Sequence, residues 1–217
     1  MADTCDSIVV VDYGVGNLAS VVKMLRRIGA SPQVSADPGI VEAADRLILP
    51  GVGAFDHAMR CLRAGPLLPI LTRRVLVDGV PILGLCLGAQ LIGRSSEEGQ
   101  EDGLGWVNAS TVRFNQSRVV GKLPIPHMGW TDVKRVQRHP LLETEEPEQR
   151  FYFAHSYHLQ CDDTSLVLGT AVHGYEFPAA IAKNNIMGVQ FHPEKSHVFG
   201  MRLLKNFVEN SLLDATV

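Results

Sequence analysis

Three short patterns combine residue types that could do covalent chemistry. The first is Gly84-Leu-Cys86-Leu-Gly88, which follows the apolar run Val80-Pro-Ile-Leu83. Gly-x-Cys-x-Gly between a strand and a helix is the thiol form of a nucleophile elbow, a sharp turn that pushes the nucleophile out at the end of a sheet. Flanking glycines let the chain bend and pack around a strained residue. A cysteine at a helix N-terminus also faces free N–H groups and a dipole that favour thiolate over thiol. The second pattern, Phe191-His192-Pro-Glu194, closes the apolar run Ile186–Phe191. A near-neutral imidazole there can take a thiol proton and return it to a leaving amine, with Glu194 orienting the ring. The third, Pro50-Gly51-Val52-Gly53, ends another apolar run and offers backbone N–H groups to an oxyanion. Each has a plainer reading: a small buried cysteine, a strand-end histidine, a turn. Together they favour covalent acyl transfer.

These residues need elements to hold them. Ser7 to Tyr13 reads as a first strand, and Asn17 as the cap of a helix with Leu18, Val21, Val22, Leu25 and Ile28 on one face, closed by Gly29. Ser31–Ser35 and Asp45–Leu49 read as strands, and Phe55–Ala64 and Leu67–Asp78 as helices, before the strand that carries Cys86 and a helix after Gly88. Ser95-Ser-Glu-Glu-Gly99 is a polar loop. Trp106–Phe114, Asp132–Val136 and Phe151–Leu159 read as further strands, Ser165–Val172 and Ala179–Lys183 as antiparallel ones, and about Val198–Leu212 as a last helix. Strands alternating with helices predict an α/β fold: a mostly parallel sheet flanked by helices, with added antiparallel strands. Binding sites in such sheets lie beyond the carboxyl ends of the strands, and those carrying Leu49 and Leu85 should be neighbours. No linker or internal repeat interrupts the chain, so residues 1–217 are expected to form one domain.

Composition narrows the function classes. A 217-residue chain with 46% apolar and 20% charged residues is ordinary for a globular protein. A net charge of −3 gives no case for nucleic acid or membrane binding. Four scattered cysteines (5, 61, 86 and 161) without a C-x-x-C pair argue against structural zinc and a disulfide framework, and fit a cytoplasmic protein. No histidine shows metal-ligand spacing, so neither metal nor cofactor is expected. The N-terminus lacks a basic and apolar leader pattern. Asn108-Ala-Ser and Asn115-Gln-Ser fit the glycosylation pattern by chance.

One motif points elsewhere. Gly14-Val-Gly16-Asn-Leu-Ala19 satisfies the dinucleotide fingerprint, with Asp37 and Glu42 roughly 20 residues on. A nicotinamide-dependent oxidoreductase would leave the Cys86 elbow without a role, and Asp12-Tyr13 crowds the turn.

Gly84-Leu-Cys86-Leu-Gly-Ala-Gln90 with Phe191-His192-Pro-Glu194 resembles the class I, triad-type glutamine amidotransferases. Asp12-Tyr-Gly-Val-Gly-Asn17, Leu49–Phe55, Ser95–Gly99, Ile125-Pro-His-Met-Gly-Trp130, Tyr152-Phe-Ala-His-Ser-Tyr157 and His192-Pro-Glu-Lys-Ser196 narrow the resemblance to members serving histidine biosynthesis. It implies a flavodoxin-like fold and a Cys86–His192–Glu194 triad that hydrolyses L-glutamine through a γ-glutamyl thioester. It further implies an oxyanion site at Gly51-Val52-Gly53 and the Leu87 N–H, with Gln90, Glu98, Ser156 and Tyr157 against the substrate. Ammonia would pass to a (β/α)₈ cyclase partner in a heterodimer, with Asn17, Trp130, Tyr152 and Lys195 facing the partner and the ammonia passage. Glycines on both sides of Val52 would let its peptide turn as a partner-controlled switch. Thr131 stands where such members usually have Asn, Ala89 where they have Met, and Arg94 departs within the helix expected there. A glutaminase of another amidotransferase system and a free-standing cysteine hydrolase are the alternatives.

Overall fold

A computed structural model describes residues 7–118, 123–146 and 148–209. In chain order it begins with Ile8–Val11 (β1), Leu18–Arg27 (α1), Gln33–Ser35 (β2), Pro38–Glu42 (α2) and Arg46–Gly51 (β3). Phe55–Ala64 (α3), Leu67–Leu76 (α4), Ile82–Cys86 (β4) and Leu87–Leu91 (α5) follow. The second half contributes Ala109–Arg113 (β5), His127–Asp132 (β6), Lys134–Arg135 (β7), Arg150–His155 (β8) and Tyr157–Cys161 (β9). Val167–His173 (β10), Tyr175–Lys183 (β11), Ile186–Val189 (β12) and His197–Glu209 (α6) complete the described elements.

An eight-stranded sheet runs β2-β1-β3-β4-β12-β11-β10-β7. The first five strands are parallel, and β11, β10 and β7 pair antiparallel at one side. The parallel part has the flavodoxin-like order. Its strands are apolar on both faces because helices cover both. Val10, Ile48 and Leu83 pack in one layer with Leu25 of α1 and Leu204 and Phe207 of α6. Val9, Val11, Leu47, Leu49 and Ile82 share the opposite layer with Phe55, Met59 and Leu62 of α3 and Leu71 and Val75 of α4. Two-residue alternation along each strand divides its side chains between these layers.

The local signals act as expected at α1. Asn17 Oδ1 accepts the Ser20 N–H at 3.4 Å, and Gly29 has φ +90° just beyond the helix. Several boundaries differ. The helix after the elbow starts at Leu87, not after Gly88, so Cys86 is itself the N-cap residue. It ends at Leu91, which leaves Arg94 outside it, held by a two-pronged pair with Asp162 at 2.6 and 2.9 Å. Five-residue α2 is too short for apolar periodicity, although Asp37 caps it by accepting the Ile40 N–H at 3.0 Å. The His-Met-Gly-Trp stretch is strand β6, whose alternate residues are exposed and polar or glycine on one side, so it has little apolar alternation. Phe151–Leu159 is two strands. It breaks at Ser156 because β8 pairs with β6 whereas β9 pairs with β5. Cys5 and Leu212, the expected end of the last helix, lie outside the described residues.

Candidate active site

Cys86 sits at φ +51°, ψ −108°, a conformation that non-glycine residues rarely adopt and that a packed surrounding must enforce. The enforcement is backbone packing. Gly51 pairs in register with Cys86, and a Cβ on Gly51 would come 2.5 Å from the Gly88 nitrogen. A Cβ on Gly88 would come 1.9 Å from the Leu49 carbonyl oxygen. The end of β3 and the first turn of α5 therefore touch backbone to backbone, which brings the Gly51-Val52-Gly53 loop against the elbow. Gly51 is consequently clamped and is not one side of a swivel. Gly53, at φ +91° with no atom within 4 Å of its would-be Cβ, is the free pivot. Gly51→Ala should destabilise the fold by about 1–3 kcal/mol or more through overpacking. Gly53→Ala should cost about 1–2 kcal/mol through its left-handed backbone alone. Thermal unfolding of the two variants checks this, and equal losses would argue against the clamp.

His192 lies beyond the end of β12, held by its backbone. Its N–H donates to the Tyr152 carbonyl at 2.9 Å, and its own carbonyl accepts the Ser196 hydroxyl at 2.6 Å. That same hydroxyl oxygen accepts the Tyr152 N–H at 3.0 Å, so fully buried Ser196 ties the histidine loop to β8. The imidazole Nδ1 lies 2.8 Å from Glu194 Oε1, with both side chains nearly inaccessible. Glu194 Oε2 is buried without a hydrogen-bond partner. Burial pushes the His192 pKa down, but the Cys86 hydrogen bond and charge, with those of Glu194, outweigh it and raise the value to about 9. The expected near-neutral imidazole is thus a protonated one at rest, because it sits between two anion-forming groups.

A cavity of about 450 Å³ opens at the carboxyl ends of β3 and β4 and is lined by Val52, Gly53, Cys86, Leu87, Gln90, Glu98, Ser156, Tyr157, His192 and Lys195. Every residue expected against the substrate is on its wall. Gln90 spends its amide donors inside the protein, on the Tyr157 carbonyl at 3.0 Å and Gln190 Oε1 at 3.1 Å. Glu98 Oε2 accepts the Phe55 N–H at 2.9 Å and so caps α3, whose N-cap Ala54 has no side chain for the task. Two residues at the site are not evident from the motifs. Gln190, fully buried, has Nε2 3.9 Å from Cys86 Sγ, and His155 lines the cavity. Their only signal is adjacency, two residues before His192 and one before Ser156.

The residues expected at the partner face form a second group. Trp130 and Tyr152 are cross-strand neighbours on β6 and β8, Trp130 stacks on His197 at 5.4 Å, and Lys195 Nζ lies 5.7 Å from the Tyr152 ring centroid. Trp130 is 40% exposed and is not core, and Met128 and Val198 beside this group are exposed too. Asn17 is exposed and caps α1.

Other candidates lack the chemistry. A larger cavity, about 540 Å³, is lined by His158 and Cys161, but burial and the neighbouring Asp162 and Asp163 push the Cys161 thiol up to about 11, which leaves it protonated. In the dinucleotide-like loop, Gly16 packs against Pro50, and the buried Tyr13 hydroxyl donates to the Pro50 carbonyl at 2.7 Å, bracing the oxyanion loop. The acids that fingerprint would use are occupied: Asp37 caps α2 and Glu42 pairs with Arg73. Among the described residues no group of three or more His, Cys, Asp or Glu could hold a metal ion, and no helix is long and apolar enough to cross a membrane.

Comparison with known proteins gives a consistent result. A family model described as glutamine amidotransferase class-I matches residues 9–211. The Pseudomonas aeruginosa protein named imidazole glycerol phosphate synthase subunit HisH 2 is 48% identical over 202 residues, spanning 93% of this chain and 98% of that one. Its namesake from Methanococcus maripaludis is 45% identical over 204 residues, 94% and 100% of the two chains. A chain in the solved structure of PurLQS from Thermotoga maritima superposes with a TM-score of 0.70 at 18% identity, covering 93% of this chain and 97% of that one. At that identity it speaks for the fold alone.

Proposed function

The chain belongs to the class-I glutamine amidotransferases, and within them to the imidazole glycerol phosphate synthase HisH subunits; from that premise we propose that Cys86, His192 and Glu194 hydrolyse L-glutamine and that the ammonia feeds a (β/α)₈ cyclase partner. The observation that carries the site assignment is the convergence of a strained elbow cysteine and a buried His192–Glu194 pair on one cavity. In this reading the whole chain is one amidotransferase domain that works without metal or cofactor.

The raised His192 pKa sets the order of proton transfers. Cys86 thiolate and His192 imidazolium form the resting pair. The thiolate attacks the glutamine side-chain carbonyl carbon, and the oxyanion is held by backbone N–H groups of Leu87 and the Val52–Gly53 segment. His192 then gives its proton to the amide nitrogen as the C–N bond breaks and ammonia leaves. The sulfur is now acylated and uncharged, so the largest influence holding the His192 pKa up is gone. The ring is left as a base able to take a proton from the attacking water. Collapse of the second tetrahedral intermediate expels thiolate and glutamate and restores the pair. Glu194 keeps Nδ1 as the donor side of the ring and Nε2 toward the reaction.

Ammonia released without an acceptor is wasted, so a partner-controlled switch is expected at Val52. Its side chain is 39% exposed at the cavity mouth, and Gly53 provides the pivot. One oxyanion donor is worth on the order of 10²–10³ in turnover, enough for most of an activation. The exposed Met128, Trp130 and Val198 offer the apolar part of a docking face. The test measures glutamine hydrolysis by the isolated chain, by its complex with the cyclase, and by the complex with a cyclase substrate analogue. Rates should rise by about two orders of magnitude or more across the series; equal rates would make the chain a free-standing glutaminase.

A further inference from the structure

Three polar side chains between the exposed strand β6 and the cavity have no part in the chemistry above, yet they connect. Thr131 Oγ1 lies 2.8 Å from His127 Nε2, His127 Nδ1 lies 3.0 Å from His155 Nε2, and His155 Nδ1 lies 2.7 Å from the Tyr157 carbonyl oxygen. Thr131 and His127 are on the same side of β6, with Gly129 between them, so no side chain separates the hydroxyl from the ring. His127 and His155 are a directly paired cross-strand couple.

Hydrogen-bond chemistry allows the connection only one direction. A carbonyl accepts and never donates, so His155 carries its proton on Nδ1, which makes Nε2 an acceptor in the neutral ring. His127 must then donate from Nδ1, which leaves its Nε2 to accept from the Thr131 hydroxyl. Both rings must be neutral for this arrangement, and burial supplies that: it pushes the His127 pKa down to about 4, helped by His173, and the His155 pKa well below its usual value. His127 is also sandwiched between His173 at 4.1 Å and Phe153 at 4.9 Å, which fixes its ring plane.

The far end of the relay meets the site. The Tyr157 carbonyl that accepts from His155 accepts also from Gln90, whose second bond goes to Gln190, whose amide in turn lies against Cys86 Sγ. We propose that Thr131, His127 and His155 are positioning residues: a one-way relay that carries the placement of β6 to the Ser156–Tyr157 wall and to the Gln90–Gln190 pair beside the thiol. The claim rests on the functional reading given above, because β6 bears Trp130 and Met128, the apolar residues of the docking face. A partner seated there shifts β6, and the shift reaches the glutamine cavity without touching it. Ordinary β-ribbon packing would hold the strands together but would not require a hydroxyl at position 131.

Two measurements test it. In the full chain labelled with ¹⁵N-histidine, His127 and His155 should both be Nδ1–H tautomers, and an Nε2–H form of either ring would overturn the relay. In the complex with the cyclase, Thr131→Val keeps shape and removes the donor. Partner stimulation of glutamine hydrolysis should fall about two- to tenfold, the weight of one hydrogen bond. Thr131→Ser should restore it, and synthesis from added ammonia should not change in either variant. A stimulated wild type with an indifferent Thr131→Val overturns the relay alone. A wild-type complex without stimulation overturns the functional reading and the relay's role with it.

Discussion

Cys86→Ala or Cys86→Ser should abolish glutamine-dependent synthesis by the complex and leave ammonia-dependent synthesis intact. The thiolate is the only group in the proposed cycle that bonds to the glutamine carbon, so nothing can substitute for it. Serine would occupy the same φ +51° position but lacks a base strong enough to ionise a hydroxyl, since His192 is already protonated. A second readout separates chemistry from folding. Cys86 is the strongest of the influences raising the His192 pKa, so either substitution should lower that value, followed by NMR titration of the ring. Retention of near wild-type glutamine hydrolysis would end the triad assignment. Replacing Cys61 or Cys161 by alanine should leave activity within about a few-fold, since neither lines the cavity.

His192→Ala should lower glutamine turnover by about 10²–10⁴-fold or more, the usual weight of an essential proton-transfer group. The imidazole serves twice, as acid toward ammonia and as base toward water, so its loss cannot be confined to one half-reaction. The pH profile carries the finer test. With His192 raised to about 9, kcat/KM for glutamine should fall on the alkaline side as the ring loses its proton near that pH. Glu194→Gln removes a charge that raises this pKa, so the alkaline limb should move to lower pH. The retained carbonyl oxygen still accepts from Nδ1–H, so the rate should suffer less than in His192→Ala. The same shift bears on stability. A pKa raised in the fold contributes stability that is fully present below the ordinary histidine value of 6.5 and is lost as pH rises through about 9. A Glu194→Gln enzyme as slow as His192→Ala, with an unmoved alkaline limb, would mean that Glu194 does more than orient and charge the ring.

What the sequence by itself determined is whatever depends on neighbours along the chain. The apolar runs at Ile8–Val11 and Ile82–Leu85, the Asn17 cap and the Gly-x-Cys-x-Gly turn are short-range patterns, each with a short-range physical cause. Those patterns placed the nucleophile, the histidine–glutamate pair and the parallel half of the sheet. Tertiary structure alone decided the rest. That Gly51 is clamped and Gly53 free follows from α5 packing on β3, a contact between segments that no local pattern joins. That Phe151–Leu159 is two strands follows from two different partners, because an extended apolar run does not say which neighbour will accept its hydrogen bonds. The protonated state of His192 and the neutral state of His127 and His155 were likewise beyond the sequence. A histidine's charge depends on which groups surround it in space, and residues distant in the chain supply those groups.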